Sequence, residues 1–193
     1  MPKRILIIQG HPDTDNQHFC HALADAYGEG AQAGGHACRQ AQVAALGLPT
    51  LRNQEEFNAP PPAAVSQCQD DIAWAEHLLI VYPLWLGTMP AVLKGYFEQV
   101  FRPGFAFGGQ DAKGLMAKRL TGKSARVVIT MGMPAFLYRW YFGAHSLKSL
   151  ERNILHFVGI KPVRESLIGL VESSAAKRAN WLRRMHKLGR QGR

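Results

Sequence analysis

Acidic residues and cysteines are both scarce in this chain. Only 14 Asp and Glu stand against 23 Lys and Arg in 193 residues, which leaves a net charge of +9 with histidine neutral. The imbalance is concentrated at one end, because Lys177 to Arg193 holds seven basic residues and no acid. Such a stretch attracts phosphate-bearing substrates, anionic membrane surface or an acidic partner, or is simply the solvated face of a helix that frays at the terminus. No basic patch interleaved with aromatics and no DNA-binding motif occurs elsewhere, so nucleic acid is not expected as a partner. The three cysteines, Cys20, Cys38 and Cys68, are widely spaced and form no C-x-x-C pair. That excludes a disulfide framework and points to a reducing cytosol. Long apolar runs are also missing. The longest uncharged stretch, Leu78 to Leu93, is too short to span a bilayer and is broken by Pro83 and Pro90. No apolar leader precedes the first strand. With 47% apolar and 19% charged residues, no repeats and no linker, a single soluble domain over residues 1–193 is expected.

What the chain does have is a regular alternation of strand and helix signals. Ile5-Leu6-Ile7-Ile8, Leu78-Leu79-Ile80-Val81 and Val127-Val128-Ile129 are continuous apolar runs of the kind that form parallel strands buried on both faces. A more polar strand is expected over 36–43, near a sheet edge, and a fifth over 162–168. Helical stripes separate them. They are Phe19, Ala22, Leu23, Ala26 and Tyr27, then residues 64–74, then Leu93, Tyr96, Phe97, Val100 and Phe101. Next come Leu147, Leu150, Ile154, Phe157 and Val158, closed by Gly159, and a last helix from Ser173-Ser174 through Trp181, Leu182, Met185 and Leu188. Residues 48–62, with Pro60-Pro61-Pro62, and residues 102–124, with five glycines, read as loops. Five strands alternating with helices imply a parallel α/β sheet covered on both faces.

The most informative segment joins the third strand to its helix, Tyr82-Pro83-Leu84-Trp85-Leu86-Gly87-Thr88-Met89-Pro90. Pro90 suits a first helical turn, where a missing N–H costs nothing. Turns at the carboxyl ends of parallel strands are where flat ligands bind. Pro83, Leu84, Trp85, Leu86 and Gly87 therefore read as a platform, with core packing as the competing role for Trp85. Lys94 and Tyr96 lie further into the helix, and Lys94 is assigned to the helix surface or a subunit contact.

Three motifs together resemble the flavodoxin-like NAD(P)H:quinone oxidoreductases, the DT-diaphorase type and its bacterial relatives. They are Gly10-His11-Pro12, Pro83-Leu84-Trp85 through Pro90-Ala91-Val92-Leu93-Lys94-Gly95, and Thr130-Met131-Gly132 with Tyr138 downstream. The likeness runs from the first strand through Gly159. It implies a flavodoxin-like three-layer sandwich with strand order 2-1-3-4-5, a bound FAD or FMN, NAD(P)H as electron donor, and a homodimer.

By this resemblance the first loop holds the flavin phosphate, with His11, Gln17, His18 and Phe19 as contacts. Thr14 and Asn16 are further donors, at a helix N-terminus that itself favours anions. The family's Ser or Thr, Phe, Asn sequence is replaced here by His18-Phe19-Cys20. Asp13, Thr14 and Asp15 are also candidates for capping the helix. His11, His18 and His21 invite a metal reading, but no Cys or acid lies at convincing ligand spacing, so no metal is expected. In the third loop the resemblance assigns flavin contacts to Thr130, Gly132 and Met133, with Gly132 letting backbone approach the ring. Tyr138 and His145 are the implied catalytic residues, donating hydrogen bonds or a proton during hydride transfer. The competing role for Tyr138, and the preferred one for Trp140, Tyr141 and Phe142, is a hydrophobic lid or dimer surface. Met133-Pro134 stands where the family type has a second glycine.

The expected activity is a cytoplasmic one: hydride passes from NADH or NADPH to flavin N5 and then to a quinone-like or other small acceptor. Two alternatives are a flavin-binding regulatory subunit docked on a membrane transport protein through the basic C-terminal helix, and a one-electron carrier. Carriers of the latter kind are acidic, unlike this chain.

Overall fold

The computed structural model describes every residue except Asn16 and Ala112. Along the chain run β1 (Arg4–Gln9), α1 (Phe19–Ala33), β2 (Ala37–Gln42), α2 (Gln54–Asn58), α3 (Ala63–Trp74), β3 (His77–Pro83) and α4 (Ala91–Val100). Then come β4 (Phe107–Gln110), β5 (Met116–Lys118), β6 (Ser124–Thr130), α5 (Ala135–Trp140), α6 (His145–Ser149), α7 (His156–Val158), β7 (Val163–Ile168) and α8 (Ala175–Arg190). Five strands form one parallel sheet in the order β2-β1-β3-β6-β7. Counting only these five, that is the expected order 2-1-3-4-5, because β4 and β5 form a separate antiparallel hairpin.

Alternation along the strands builds the two halves of the core. Side chains two apart share a face, so Ile5, Ile7, Leu79, Val81 and Val128 meet Leu23, Tyr27 and Met185 of α1 and α8. Leu6, Ile8, Leu78, Ile80, Val127 and Ile129 meet Val65 and Ile72 of α3, Leu93 and Phe97 of α4, and Leu150 and Leu155 beyond α6. Each such side chain taken fully from water contributes about 1.5–3 kcal/mol. The central strands β1, β3 and β6 are buried almost throughout, while β2 and β7 are partly exposed edges.

Helices α1 and α8 cross at backbone contact. A Cβ on Gly30 would lie 2.0 Å from the His186 carbonyl, and one on Gly189 would lie 2.0 Å from that of Tyr27. This crossing fixes the basic end of the chain. Lys3 Nζ donates to the Gly192 carbonyl at 2.8 Å and Arg126 Nε to the Arg193 carbonyl at 2.8 Å. The tail expected to fray is therefore docked.

Three other expectations are corrected. Residues 48–62 contain helix α2, capped by the Asn53 side chain, which accepts from Glu56 N–H. The region is braced by buried Arg102, whose guanidinium donates to the Glu56 and Ala59 carbonyls. Residues 102–124 contain the β4–β5 hairpin, because their glycines serve as turn and bulge positions rather than marking an open loop. The stripe from Leu147 to Val158 lies on α6 and α7 joined by a π-helical turn, Leu150–Leu155, before Gly159 ends it at φ +105°. No helix among the described residues is long and apolar enough to cross a membrane.

Candidate functional site

The carboxyl ends of β1, β3 and β6 lie side by side, with Gln9 paired to Val81 and Pro83 to Thr130. The sheet runs outward in opposite directions from β1 and β3, so the crevice over these ends is the point where strand order reverses. All three loops singled out in the sequence open onto this rim. They are tied together, since Gly10 N–H donates to the Val81 carbonyl and Leu84 N–H to the Thr130 carbonyl, both at 2.8 Å. The Cys20 thiol and the Thr130 hydroxyl bond at 3.1 Å, linking α1 to β6. Burial pushes the Cys20 thiol up to about 12, so it is an inert strut rather than a nucleophile.

The second loop is a tight hairpin. Trp85 and Thr88 exchange backbone bonds at 2.9 and 3.0 Å around Leu86 at φ +47° and Gly87 at φ +80°. Positive φ at both central positions is the signature of a type I′ turn. Gly87 takes it freely, whereas Leu86 pays about 1 kcal/mol or more in backbone strain. The turn props Trp85 outward, 51% exposed, so its ring is not packed in the core. Beside it runs a groove of about 470 Å³ lined by Trp85, Leu86, Met89, Pro90, Ser146 and Ile154. Lys94 at its edge is paired with Glu98 one helical turn on, as expected of a surface lysine.

The first loop brings three imidazoles together. His11 stacks on His18 with ring centroids 4.0 Å apart, and His21 lies 5.4 Å from His11. Trp85 meets the His11 ring edge-on at 6.2 Å, so loops one and two share a wall. The Gln9 side chain accepts from His11 N–H at 2.6 Å, but its buried Nε2 has no partner among the described residues. His21 is 3% exposed, and neither of its ring nitrogens has a partner among the described residues. Burial, then the neighbouring His18 charge, lowers the His21 basicity, and the same two causes head those acting on His11.

The capping expected of Asp13 and Asp15 is corrected. Asp13 accepts from Asp15 N–H and Asp15 from Gln17 N–H, so both carboxylates close turns within the loop. His18 occupies the N-cap of α1 with no side-chain cap, and the first turn carries no acid. Asn16 lies outside the described residues, and Gln17 is exposed. Phe19 packs against the α1-side core. No group of three or more metal-ligating side chains forms among the described residues. The rings stack rather than converge.

In the third loop, Gly132 and Met133 show no backbone hydrogen-bond donation to any described residue. A Cβ on Gly132 would meet nothing within 4 Å, so the chain there faces open space. The loop also holds α5, which the sequence did not reveal. Tyr138, named as a catalytic candidate, is 2% exposed. Its hydroxyl bonds Ser146 Oγ at 2.7 Å and accepts from Leu147 N–H at 3.1 Å, pinning the start of α6. Ser146, not Tyr138, lines the groove beside Trp85. His145 is exposed at the start of α6, its ring folded against Gly143. The structure thus gathers His11, His18, Trp85, Leu84, Thr130 and Gly132 on one rim. It sets Tyr138 beneath that rim.

Gln9, Ser146 and the Cys20–Thr130 bond were missed by sequence reasoning. A polar residue closing an apolar strand was the only signal for Gln9, and nothing local marks the other two.

A flavin fits what is present. Among the described residues, the unpartnered groups of Gln9 and His21 and the uncapped start of α1 suit a phosphate, and Trp85, the open space over Gly132 and the unbonded Gly132 and Met133 amides suit a flat polar-edged ring. The family model described as the flavodoxin-like fold matches residues 3–188. An uncharacterized NAD(P)H oxidoreductase of Haemophilus influenzae is 28% identical over 180 residues, covering 89% of this chain and 88% of that one. NAD(P)H dehydrogenase [quinone] 1 of Cavia porcellus is 28% identical over 194 residues, covering 86% and 68%. The solved structure of the NAD(P)H:quinone oxidoreductase from Methanothermobacter marburgensis superposes with a TM-score of 0.85 at 25% identity, covering all of both chains. The chain belongs to the flavodoxin-like fold family.

Proposed function

We propose that this protein is a flavin-dependent NAD(P)H oxidoreductase acting on a quinone-like or other small acceptor. The observation that carries the reading is the convergence, at one rim, of an outward-facing Trp85, open space above Gly132 and buried donors at Gln9 and His21 that no described residue satisfies. A buried donor left without a partner costs roughly 1–3 kcal/mol, so the site is built for a ligand that supplies acceptors. The related proteins named above support the class of reaction.

The bound flavin would supply hydride acceptance and donation. The chain's own residues bind and orient. His11, His18 and the start of α1 would take the phosphate. The Gly132 and Met133 amides would face the pyrimidine edge, where donors favour the charge that grows on reduction. The groove between Trp85 and Ser146 would hold nicotinamide and acceptor in turn and keep water from the ring. Tyr138 acts through Ser146, as a positioning residue. Exposed Phe136, Trp140 and Tyr141 on and after α5 would be covered by a second copy of the chain. Steady oxidation of NADH or NADPH that depends on added quinone tests the reading; a flavin-loaded protein with no such turnover contradicts it.

A second reading has one observation in its favour. Arg183, Arg184, Lys187 and Arg190 are exposed on α8, and none is in an ion pair among the described residues. That face suits docking on an acidic partner, as a regulatory subunit would need. Flavin binding without turnover, joined to retention on such a partner, would favour it.

A further inference from the structure

We propose that the His11–His18–His21 cluster selects a terminal phosphate dianion, and therefore FMN over FAD, by taking up a proton as it binds. The inference rests on the flavin reading above and concerns how this chain holds the phosphate end.

The geometry supplies the argument. Three imidazoles within 4.0–5.9 Å of one another cannot all be charged without strong mutual repulsion. Yet His21 is buried with neither nitrogen bonded to any described residue, and the same holds for Gln9 Nε2 beside this loop. The α1 N-terminus adds partial positive charge with no acid in its first turn. The loop already shows the preference for an anion, because the Asp13 carboxylate sits 3.0 Å from His18 Nε2. A group of charge near −2 placed here would replace Asp13 and let a second imidazole hold its proton.

The surroundings contribute few other charges. Asp13 and Asp15 belong to the loop, and Asp25 lies further along α1. From β1 and β2 come the uncharged Gln9 and Gln42, from β6 the Thr130 hydroxyl, and from the second loop Trp85. Arg183 and His186 of α8 line a separate groove with Asp25 and Glu29.

In the unliganded site His11 and His21 are held below the ordinary histidine range, so they are neutral at pH 7. An adjacent dianion raises both, which makes binding consume protons. Above the pH at which the phosphate becomes a dianion, its stabilisation is thus lost as pH rises through the ligand-bound histidine values. FMN ends in a monoester whose second proton leaves near pH 6, giving close to two charges at pH 7. The diphosphate of FAD spreads single charges over two groups and offers no such focus.

The test is a calorimetric titration of the full chain, stripped of flavin, with FMN, FAD and riboflavin in buffers of different ionisation enthalpy. At pH 7.5 FMN should bind with uptake of roughly half to one proton, and riboflavin with none. Between pH 7 and 8.5 FMN affinity should fall roughly five- to tenfold while riboflavin affinity holds. His18→Asn and His21→Leu should each flatten the FMN slope and keep riboflavin binding. Asp13→Asn should tighten FMN. FMN binding without proton uptake, or FAD binding with equal uptake, overturns the inference and leaves the flavin reading intact. Failure of all three ligands to bind overturns both.

Discussion

The two rims of the sheet are built from similar residues and treat them differently. At the amino rim Lys3, His36, His77, Lys123 and Arg126 crowd together. Their polar groups are spent on the protein: Lys3 N–H on His36 Nδ1, Lys123 Nζ on the Ala73 and Ala75 carbonyls, and Arg126 on Ser166 and the Arg193 carbonyl. His77 Nδ1 bonds Ser124 Oγ, and only its Nε2 is left over. A cavity of about 420 Å³ lies there, lined by Lys3, His77, Lys161 and Arg164, with Lys3 Nζ bonded to the Gly192 carbonyl and His77 Nδ1 to Ser124 Oγ. At the carboxyl rim, among the described residues, the His21 ring nitrogens and the Gln9 amide nitrogen have no partner, and the Gly132 and Met133 amides make no backbone hydrogen bond. The proposed site is the rim where unspent hydrogen-bonding capacity coincides with the strand-order reversal.

Substitutions can break this contrast in sequence of effect. Gly189→Val drives a side chain into the Tyr27 carbonyl, which is backbone and cannot yield. It should part α8 from α1, release the Gly192 and Arg193 anchors of the amino rim, and cost about 3 kcal/mol or more, read as a melting temperature lower by roughly 10 °C. Gly132→Val is the opposite case. Its side chain meets no protein atom, so melting should move by less than about 0.5 kcal/mol while flavin is no longer retained. A variant that keeps flavin would show that the ring does not approach this turn.

His77 sharpens the contrast through pH. Burial, with Lys3 and Arg126 nearby, pushes its pKa down to about 3. The unfolded chain protonates near 6.5, so His77 lends stability above that value, and the stability is lost as pH falls toward 3. His77→Gln should flatten denaturant midpoints across that window and leave flavin affinity unchanged at pH 7. Tyr138→Phe should have the smallest effect. It frees Ser146 and the Leu147 amide, costs about 1 kcal/mol, keeps flavin occupancy, and slows turnover through a raised KM. Unchanged kinetics would remove Tyr138 from any positioning role.

The sheet was legible because its signals are local and redundant. Ile5 to Ile8 and Leu78 to Val81 leave little choice but buried strands, and the motifs at their ends place three loops on one rim. The β4–β5 hairpin was not legible, since Phe107-Gly108-Gly109 offers no alternation. Helix α5 hid behind Met133-Pro134, where the aromatics Trp140, Tyr141 and Phe142 read as a lid or dimer surface. Within the site, Trp85 was found by its position in a motif. His21 was visible but set aside, because its meaning depends on burial and on the absence of any partner. Tyr138 was assigned a catalytic hydrogen bond from its place in a motif, and only the fold shows its hydroxyl bonded to Ser146 Oγ and the Leu147 amide.

The visible absorption spectrum of the protein titrated with FMN and FAD tests the central claim most directly. The account predicts a yellow one-to-one complex with a perturbed flavin band and fluorescence quenched against Trp85. A protein that stays colourless and leaves both flavins free in solution would contradict it.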